Sequence, residues 1–170
     1  MTYPLPEPIN LPKAEIFRIA EEIGKILEYN VGDELGPIIT NLGGRITPQD
    51  FNEWLNGNEA SIDVHGEKNF EIFIPSIAGK YRNRFTIAHE LGHYILHSKL
   101  GKKQITVKRF LDSSQNDRVE WEANWFAASF LMPKSKFIEY YNQKSDTLYL
   151  SSVFGVSPTA VAIRKKELAL

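Results

Sequence analysis

The sequence predicts an α+β fold, because patterns typical of helices and of strands occupy different parts of one chain. Apolar residues recur at intervals of three and four in residues 13–42 and after residue 84, whereas residues 45–75 contain stretches that alternate with a period of two. The chain has 170 residues, of which 42% are hydrophobic, which is enough for one packed core. We therefore expect a single domain, residues 1–170, in which helices accompany a small antiparallel sheet.

The N-terminal part, about residues 1–80, is expected to contain two helices before the sheet. Pro12 can open the first, and its apolar stripe consists of Ile16, Ile19, Ala20, Ile23, Ile26 and Leu27. The second places on one face Val31, Leu35, Ile38, Ile39 and Leu42. The pair Gly43-Gly44 then supplies a C-terminal stop.

Two alternating strands follow. Ile62 and Val64 alternate with polar residues, and so do the apolar residues of the segment 70–74. The link of residues 65–69 between them has the composition of a hairpin turn. We expect the strand 70–74 to lie at the sheet edge, where an extended peptide could pair with it.

The central part, about residues 84–132, is expected to hold two helices. Asn83 can cap the first, over about 84–97, and Gly92 within it would permit close approach of another backbone. Residues 100–115 are polar and basic and are predicted to form a surface loop. The second helix is expected to begin near residues 114–117 and to end before Pro133.

A C-terminal helix pair is predicted over about residues 146–168. Its first helix runs through Leu148 and Phe154 and stops at Gly155. Its second has Ser157 as N-cap and Pro158 at the first helical position. The pattern is compatible with a helix-turn-helix, and three cations lie on its second helix: Arg164, Lys165 and Lys166.

Composition excludes several classes of protein. The net charge of -1 gives no general attraction to nucleic acid or anionic lipid. The absence of cysteine excludes disulfides, thiolate nucleophiles and cysteine-ligated zinc. The N-terminus has four prolines and no apolar run, and no stretch approaches the roughly 20 apolar residues that span a bilayer. We therefore expect a cytoplasmic protein without a membrane partner.

The segment HELGH, residues 89–93, is the strongest functional signal. Residues four apart on a helix have Cβ atoms about 5–6 Å apart, so His89 and His93 can bind one metal ion. Glu90 is turned about 100° around the helix axis and can act as a general base on a water molecule. The alternative is an ordinary helix whose histidines have no metal to bind. The pattern favours a zinc-dependent hydrolase.

A third ligand is needed, since a catalytic zinc usually takes three protein ligands. His97 lies about 12 Å along the helix from His89 and cannot reach the same ion unless the helix breaks. On the later helix, Glu120 and Asn124 share a face, so Glu120 can bind the metal while Asn124 orients a ligand. Glu122 would point about 200° away from Glu120. We prefer Glu120 as ligand. His97 remains a structural hydrogen-bonding group or a transition-state stabiliser.

Two stretches resemble the ImmA/IrrE family of small zinc metallopeptidases: RFTIAHELGHYILH at residues 84–97 and EWEANWFAASFLMP at residues 120–133. The C-terminal stretch FGVSPTAVAIRKKEL, residues 154–168, is also similar to that family. The resemblance implies a zincin-like α+β fold, with Zn²⁺ held by His89, His93 and Glu120 and with Glu90 as base. It further implies a regulatory protease that cleaves a helix-turn-helix repressor of the Xre type, encoded in mobile elements or stress-response loci.

On this interpretation, zinc polarises the scissile carbonyl while Glu90 takes a proton from water and passes it to the leaving amine. The residue that stabilises the oxyanion is left open among His97, Tyr94, Arg84, Tyr140 and Tyr141. The rival interpretation is a non-catalytic or weakly catalytic regulatory module that binds DNA or a repressor through its C-terminal helix pair.

Overall fold

The computed structural model describes residues 3–56, 60–108 and 117–170. The helices in these ranges are α1 (Lys13–Ile26), α2 (Leu35–Asn41), α3 (Phe51–Asn56), α4 (Lys80–Gly92), α5 (Asp117–Leu131), α6 (Lys134–Gln143), α7 (Thr147–Phe154) and α8 (Pro158–Glu167). The strands are β1 (Gly44–Gln49), β2 (Ala60–Gly66), β3 (Asn69–Pro75) and β4 (Ile105–Lys108). Helix α4 continues directly into a π-helical segment, His93–Lys99.

The four strands form one mixed sheet in the order β1-β3-β2-β4. Strands β2 and β3 form the predicted hairpin, and Lys68 in its turn has a φ of 58°. Strand β1, however, pairs in parallel with β3, with Ile46 opposite Ile72. The α+β class is therefore confirmed, but the predicted antiparallel sheet is wrong in this respect. Strand β3 is also internal, so its backbone is not free to pair with a peptide.

Helices α1, α4 and α5 pack together beside the sheet. Their buried side chains share a core with the sheet, which includes Ile16, Leu91, Phe126 and Phe130 from the helices and Ile62, Val64 and Ile72 from the strands. The apolar stripe of α1 is buried at Ile16 and Ala20, as predicted, but Ile26 at its end is 71% exposed. The two helices that carry HELGH and Glu120 are therefore held by a common core.

Some element boundaries differ from the predicted ones. Helix α4 begins at Lys80, not at Arg84, and Asn83 lies inside it. The Asn83 amide donates to the carbonyls of Pro75 and Ala78, each at 3.3 Å, and so anchors the preceding loop and does not cap the helix. The predicted surface loop contains β4, whose Ile105 is fully buried. Residues 109–115 of that predicted loop lie outside the described residues.

The C-terminal helix pair is confirmed in detail. Gly155 ends α7 in the left-handed region with a φ of 63°, and the Ser157 side chain accepts a hydrogen bond from the Ala160 amide at the start of α8. Helices α3 and α6 are additional elements that the sequence patterns did not predict. Within the described ranges, no helix is both long enough and apolar enough to cross a bilayer.

Gly92 lies where α4 and α5 come closest. A Cβ atom there would lie 3.2 Å from the Cα and carbonyl oxygen of Ala123 and 3.2 Å from the Cβ of Phe126. This is the close backbone approach that the glycine predicts. Because the neighbours are mainly backbone atoms, they can move only if the two helices separate.

We expect Gly92→Ala to lower the free energy of unfolding by about 1–3 kcal/mol, the usual cost of overpacking. Chemical denaturation of the metal-free protein measures this. Gly36→Ala is the matched control, since among the described residues a Cβ at Gly36 would meet nothing within 4 Å apart from its chain neighbours and the backbone of its own helix. That change should be neutral or stabilise by up to about 1 kcal/mol. Equal effects of the two substitutions would contradict the close packing.

Candidate metal centre

Three side chains from α4, the π-helical segment and α5 converge on one point. His89 lies near the end of α4, His93 one turn later, and Glu120 in the first turn of α5. The Nε2 atoms of His89 and His93 are 3.0 Å apart. Glu120 lies 3.2 Å from His89 Nε2 and 3.3 Å from His93 Nε2. Each residue thus offers one ligand atom, and these atoms lie within 4.8 Å of one another.

These residues fit a zinc ion in both chemistry and spacing. Two imidazoles and one carboxylate form a recognised catalytic donor set. Ligand atoms at about 2.0–2.1 Å from a tetrahedral zinc are about 3.3 Å from each other. The separations of 3.0 to 3.3 Å between the three residues agree with that value. His89, His93 and Glu120 could therefore hold a metal ion.

The protonation of His93 and Glu120 also suits metal binding, whereas the acidic neighbours of His89 favour its protonated form in the metal-free protein. Burial lowers the pKa of His93 to about 3, although Glu120 opposes the shift, so His93 is neutral and can act as a ligand. Burial alone would also lower the pKa of His89, but hydrogen bonding to Glu120 and the charges of Glu90 and Glu120 raise it. Burial would raise the pKa of Glu120, but hydrogen bonds from the two histidines hold it well below its usual range. Glu120 is therefore ionised.

Asn124 contacts His89 on the side away from Glu120. The distance between Asn124 Oδ1 and His89 Nδ1 is 2.9 Å. An amide oxygen can only accept, so His89 donates from Nδ1 and keeps its lone pair on Nε2. Asn124 thus lies where the spacing of Glu120 and Asn124 predicts it, in contact with one of the candidate ligands.

Glu90 is buried beside the same group of residues. It is 4% exposed, and the hydroxyl of Ser61 on β2 donates to its Oε2 atom at 3.2 Å. Burial raises the pKa of Glu90 to about 7, with the charge of His89 acting against the shift and that of Glu120 in its favour. A carboxyl group with a pKa near neutrality can take up and release a proton at the pH of the cell.

His97 lies behind His93. Residues 93 and 97 are four apart in the π-helical segment, and their Nδ1 atoms are 3.0 Å apart. The other ring nitrogen, Nε2, lies 3.0 Å from Glu122 Oε2. Both His97 and Glu122 are buried. Glu122 thus points away from the three candidate ligands, as its position on the helix predicts, and contacts His97.

The other residues considered for the oxyanion have partners elsewhere. Tyr94 is buried, stacks on Phe70, and accepts a hydrogen bond from the Lys68 amide at 3.3 Å. Arg84 donates to the carbonyl of Asp33 and, at 2.6 Å, to the hydroxyl of Tyr29. Tyr140 packs edge-on against Phe154, and Tyr141 lies beneath Lys165. These contacts place all four side chains in the packing of the fold.

Two contacts of the site were missed by sequence reasoning. Ser61 lies in a strand in which the alternating pattern identifies only the apolar residues. It precedes Glu90 by 29 residues, so no local spacing connects the two. Helical spacing addresses Glu122 only as a possible third metal ligand. A charged residue on the apolar side of a predicted helix, next to the buried Ala123, was the available sign that it needs a buried partner.

One solved structure similar to this chain is a Mycobacterium tuberculosis transcriptional regulator, with a TM-score of 0.59 and 18% sequence identity. The match covers 89% of this chain but 46% of that one, so this chain spans less than half the length of the regulator. The likeness at this identity concerns the fold. No curated protein matches the chain. The model of the Peptidase_M78 family, described as the IrrE N-terminal-like domain, matches residues 43–166. The chain therefore belongs to the ImmA/IrrE family.

Proposed function

We propose that this protein is a zinc-dependent endopeptidase in which residues 1–170 act as one zincin-like catalytic domain. The observation that carries the proposal is the convergence of His89, His93 and Glu120, whose ligand atoms lie within 4.8 Å of one another. The buried carboxyl group of Glu90 lies on the same helix as His89. Membership of a metallopeptidase family supports the same conclusion.

In the proposed reaction, His89, His93 and Glu120 would hold Zn²⁺, which when bound would supply a Lewis acid for the scissile carbonyl and the attacking water. Glu90 accepts a proton from the attacking water and donates it to the nitrogen of the leaving amine. Ser61 orients the Glu90 carboxylate through its hydroxyl. Asn124 fixes the His89 ring so that Nε2 faces the metal position.

The proposed substrate is a helix-turn-helix repressor of the Xre type. Membership of the ImmA/IrrE family supports a regulatory role, and the similar solved structure is itself named as a transcriptional regulator. The test is incubation of the zinc-loaded protein with the repressor encoded nearest to its gene, followed by mass spectrometry of the products. We expect defined fragments that disappear when a chelator is present. An intact repressor after prolonged incubation would contradict the proposed substrate.

The ligand set makes its own prediction. Glu120→Ala removes one of the three proposed ligands. Loss of a residue that only contacts a ligand usually lowers metal affinity by about 10- to 100-fold, so we expect a larger fall in zinc affinity here. Competition with a chromophoric chelator measures this. Glu139→Ala is the matched control, because Glu139 forms a surface ion pair with Lys136. Retention of zinc by the Glu120 variant at the affinity of this control would exclude Glu120 as a ligand.

The rival proposal is DNA binding through α7 and α8, but two of the three cations on α8 have partners within the chain. Arg164 is buried, donates to the Met132 carbonyl at 3.1 Å and lies 3.6 Å from Glu21. Lys165 donates to the Ser145 carbonyl at 2.6 Å and to Thr147 at 2.9 Å. Arg164 is thus enclosed by the fold, and Lys165 already has partners within the chain. Salt-dependent binding to duplex DNA by the intact protein, without cleavage of any repressor, would favour the rival.

A further inference from the structure

Glu122 is held by donors from three separate parts of the chain. Its Oε1 accepts from the Asn10 amide at 2.9 Å and from Arg118 Nε at 2.9 Å. Its Oε2 accepts from the Ile9 amide at 3.0 Å and lies 3.0 Å from His97 Nε2. A carboxylate has about four sites for accepting hydrogen bonds, two on each oxygen. All four sites are therefore used.

The hydrogen bonds that Glu122 accepts determine which ring nitrogens of His97 and His93 donate a proton. Because Glu122 accepts, His97 carries a proton on Nε2, and in the neutral ring the lone pair is then on Nδ1. That lone pair faces His93 Nδ1 at 3.0 Å, so His93 donates from Nδ1. The free lone pair of His93 is then on Nε2, the atom that lies 3.3 Å from Glu120. The tautomer of His93, a candidate metal ligand, thus depends on Glu122, which acts through His97.

The N-terminal segment takes part in this arrangement. Asn10 has a φ of 56°, a left-handed conformation that Asn adopts more readily than most residues. The amides of Ile9 and Asn10 both donate to Glu122. Arg118 links the same two parts of the chain, since its Nη2 donates to the Leu11 carbonyl at 2.5 Å. These N-terminal residues precede the range 43–166 that the family model matches.

We propose that Glu122 is a positioning residue for the metal centre, which acts on His93 through His97 and is itself fixed by the N-terminal segment at Ile9 and Asn10. The inference rests on the proposed metal centre. It differs from a packing role, because a packing role would not require the tautomer of His93 to depend on Glu122. Outer contacts of this kind orient the ligand ring and raise its basicity.

The first test is the zinc affinity of Glu122→Gln and His97→Ala, measured by chelator competition. We expect each change to weaken binding by about 10- to 100-fold. The double variant should bind about as well as His97→Ala alone, because both changes interrupt one path. Losses of zinc affinity that add in the double variant would overturn the proposal that Glu122 acts through His97. The cobalt(II)-loaded protein adds a spectroscopic readout, since its visible spectrum should change in both variants and stay unchanged in the surface control Glu139→Gln.

The second test addresses the N-terminal segment with a matched pair at Asn10. Asn10→Gly keeps the left-handed backbone and should retain the wild-type zinc affinity. Asn10→Val opposes that conformation and should weaken zinc binding, because β-branched residues rarely adopt a positive φ. This pair decides the question even if Glu122→Gln does not fold. Wild-type affinity and an unchanged cobalt spectrum in Asn10→Val would overturn the role of the N-terminal segment, and the same result in Glu122→Gln would overturn the role of Glu122.

The outcomes separate this inference from the proposed function. A wild-type protein that binds no zinc would contradict the metal centre itself. A wild-type protein that binds zinc, together with an unaffected Glu122→Gln variant, would contradict only the role of Glu122. Neither result depends on knowledge of the substrate, because both readouts come from metal binding.

Discussion

Glu90→Gln should lower kcat/KM for substrate cleavage by about 10²- to 10⁴-fold, the usual contribution of a positioned general base. Gln has nearly the same shape as Glu and leaves the three candidate ligands in place, so zinc should remain bound. The amide cannot accept a proton from water at neutral pH. The measurement pairs the rate of repressor cleavage with the zinc content of the same preparation.

Glu67→Gln provides the control for this change. Glu67 lies in the turn between β2 and β3, is exposed, and undergoes the same chemical change. Its substitution should leave both cleavage and zinc content unchanged. Cleavage at the wild-type rate by Glu90→Gln would exclude Glu90 as the base. Loss of zinc together with activity would show that the residue supports the metal site and would leave its role in proton transfer unsupported.

The parts of the fold that could be predicted are those with a local signal. Ser157 and Gly155 mark the limits of α7 and α8 because each satisfies backbone groups within its own turn. Pro133 predicts the end of one helix, but it is also the residue from which α6 starts. The parallel pairing of β1 with β3 has no local signal, since it depends on contacts 26 residues apart, such as Arg45 with Glu71.

The same distinction applies to the candidate site. The proximity of His89 and His93 follows from helical spacing, and the choice of Glu120 over Glu122 follows from the face shared with Asn124. The contact of His97 with His93 also joins residues four apart, although the π-helical segment that follows Gly92 has no marker in the sequence. The contact of His97 with Glu122 spans 25 residues and requires the packing of α5 against that segment.

The buried carboxyl group of Glu90 should make the metal-free protein less stable as the pH rises. Burial raises its folded-state pKa to about 7 from a value of 4.5, so the charged form is disfavoured in the folded state. Between these two pH values the folded state binds more protons than the unfolded state. Stability from this group is therefore fully present below about pH 4.5 and is lost as the pH rises through 7.

The size of this effect follows from the shift of about 2.5 units in pKa, which corresponds to about 3 kcal/mol. Glu90→Gln removes the titrating group, so we expect the variant to be more stable than the wild type by about that amount at pH 8, with the difference vanishing near pH 4.5. Urea denaturation of chelator-treated protein across this pH range measures it, with Glu67→Gln as the control.

A difference in the free energy of unfolding between Glu90→Gln and the wild type that is constant at all pH values would show that burial does not raise the pKa of the Glu90 carboxyl group. With zinc present, the cation should favour the charged form of Glu90 and reduce the difference at pH 8. The one substitution would then slow the proposed hydrolysis and stabilise the metal-free fold. Such a pair of results is expected where a base is kept from water so that its pKa lies near neutrality.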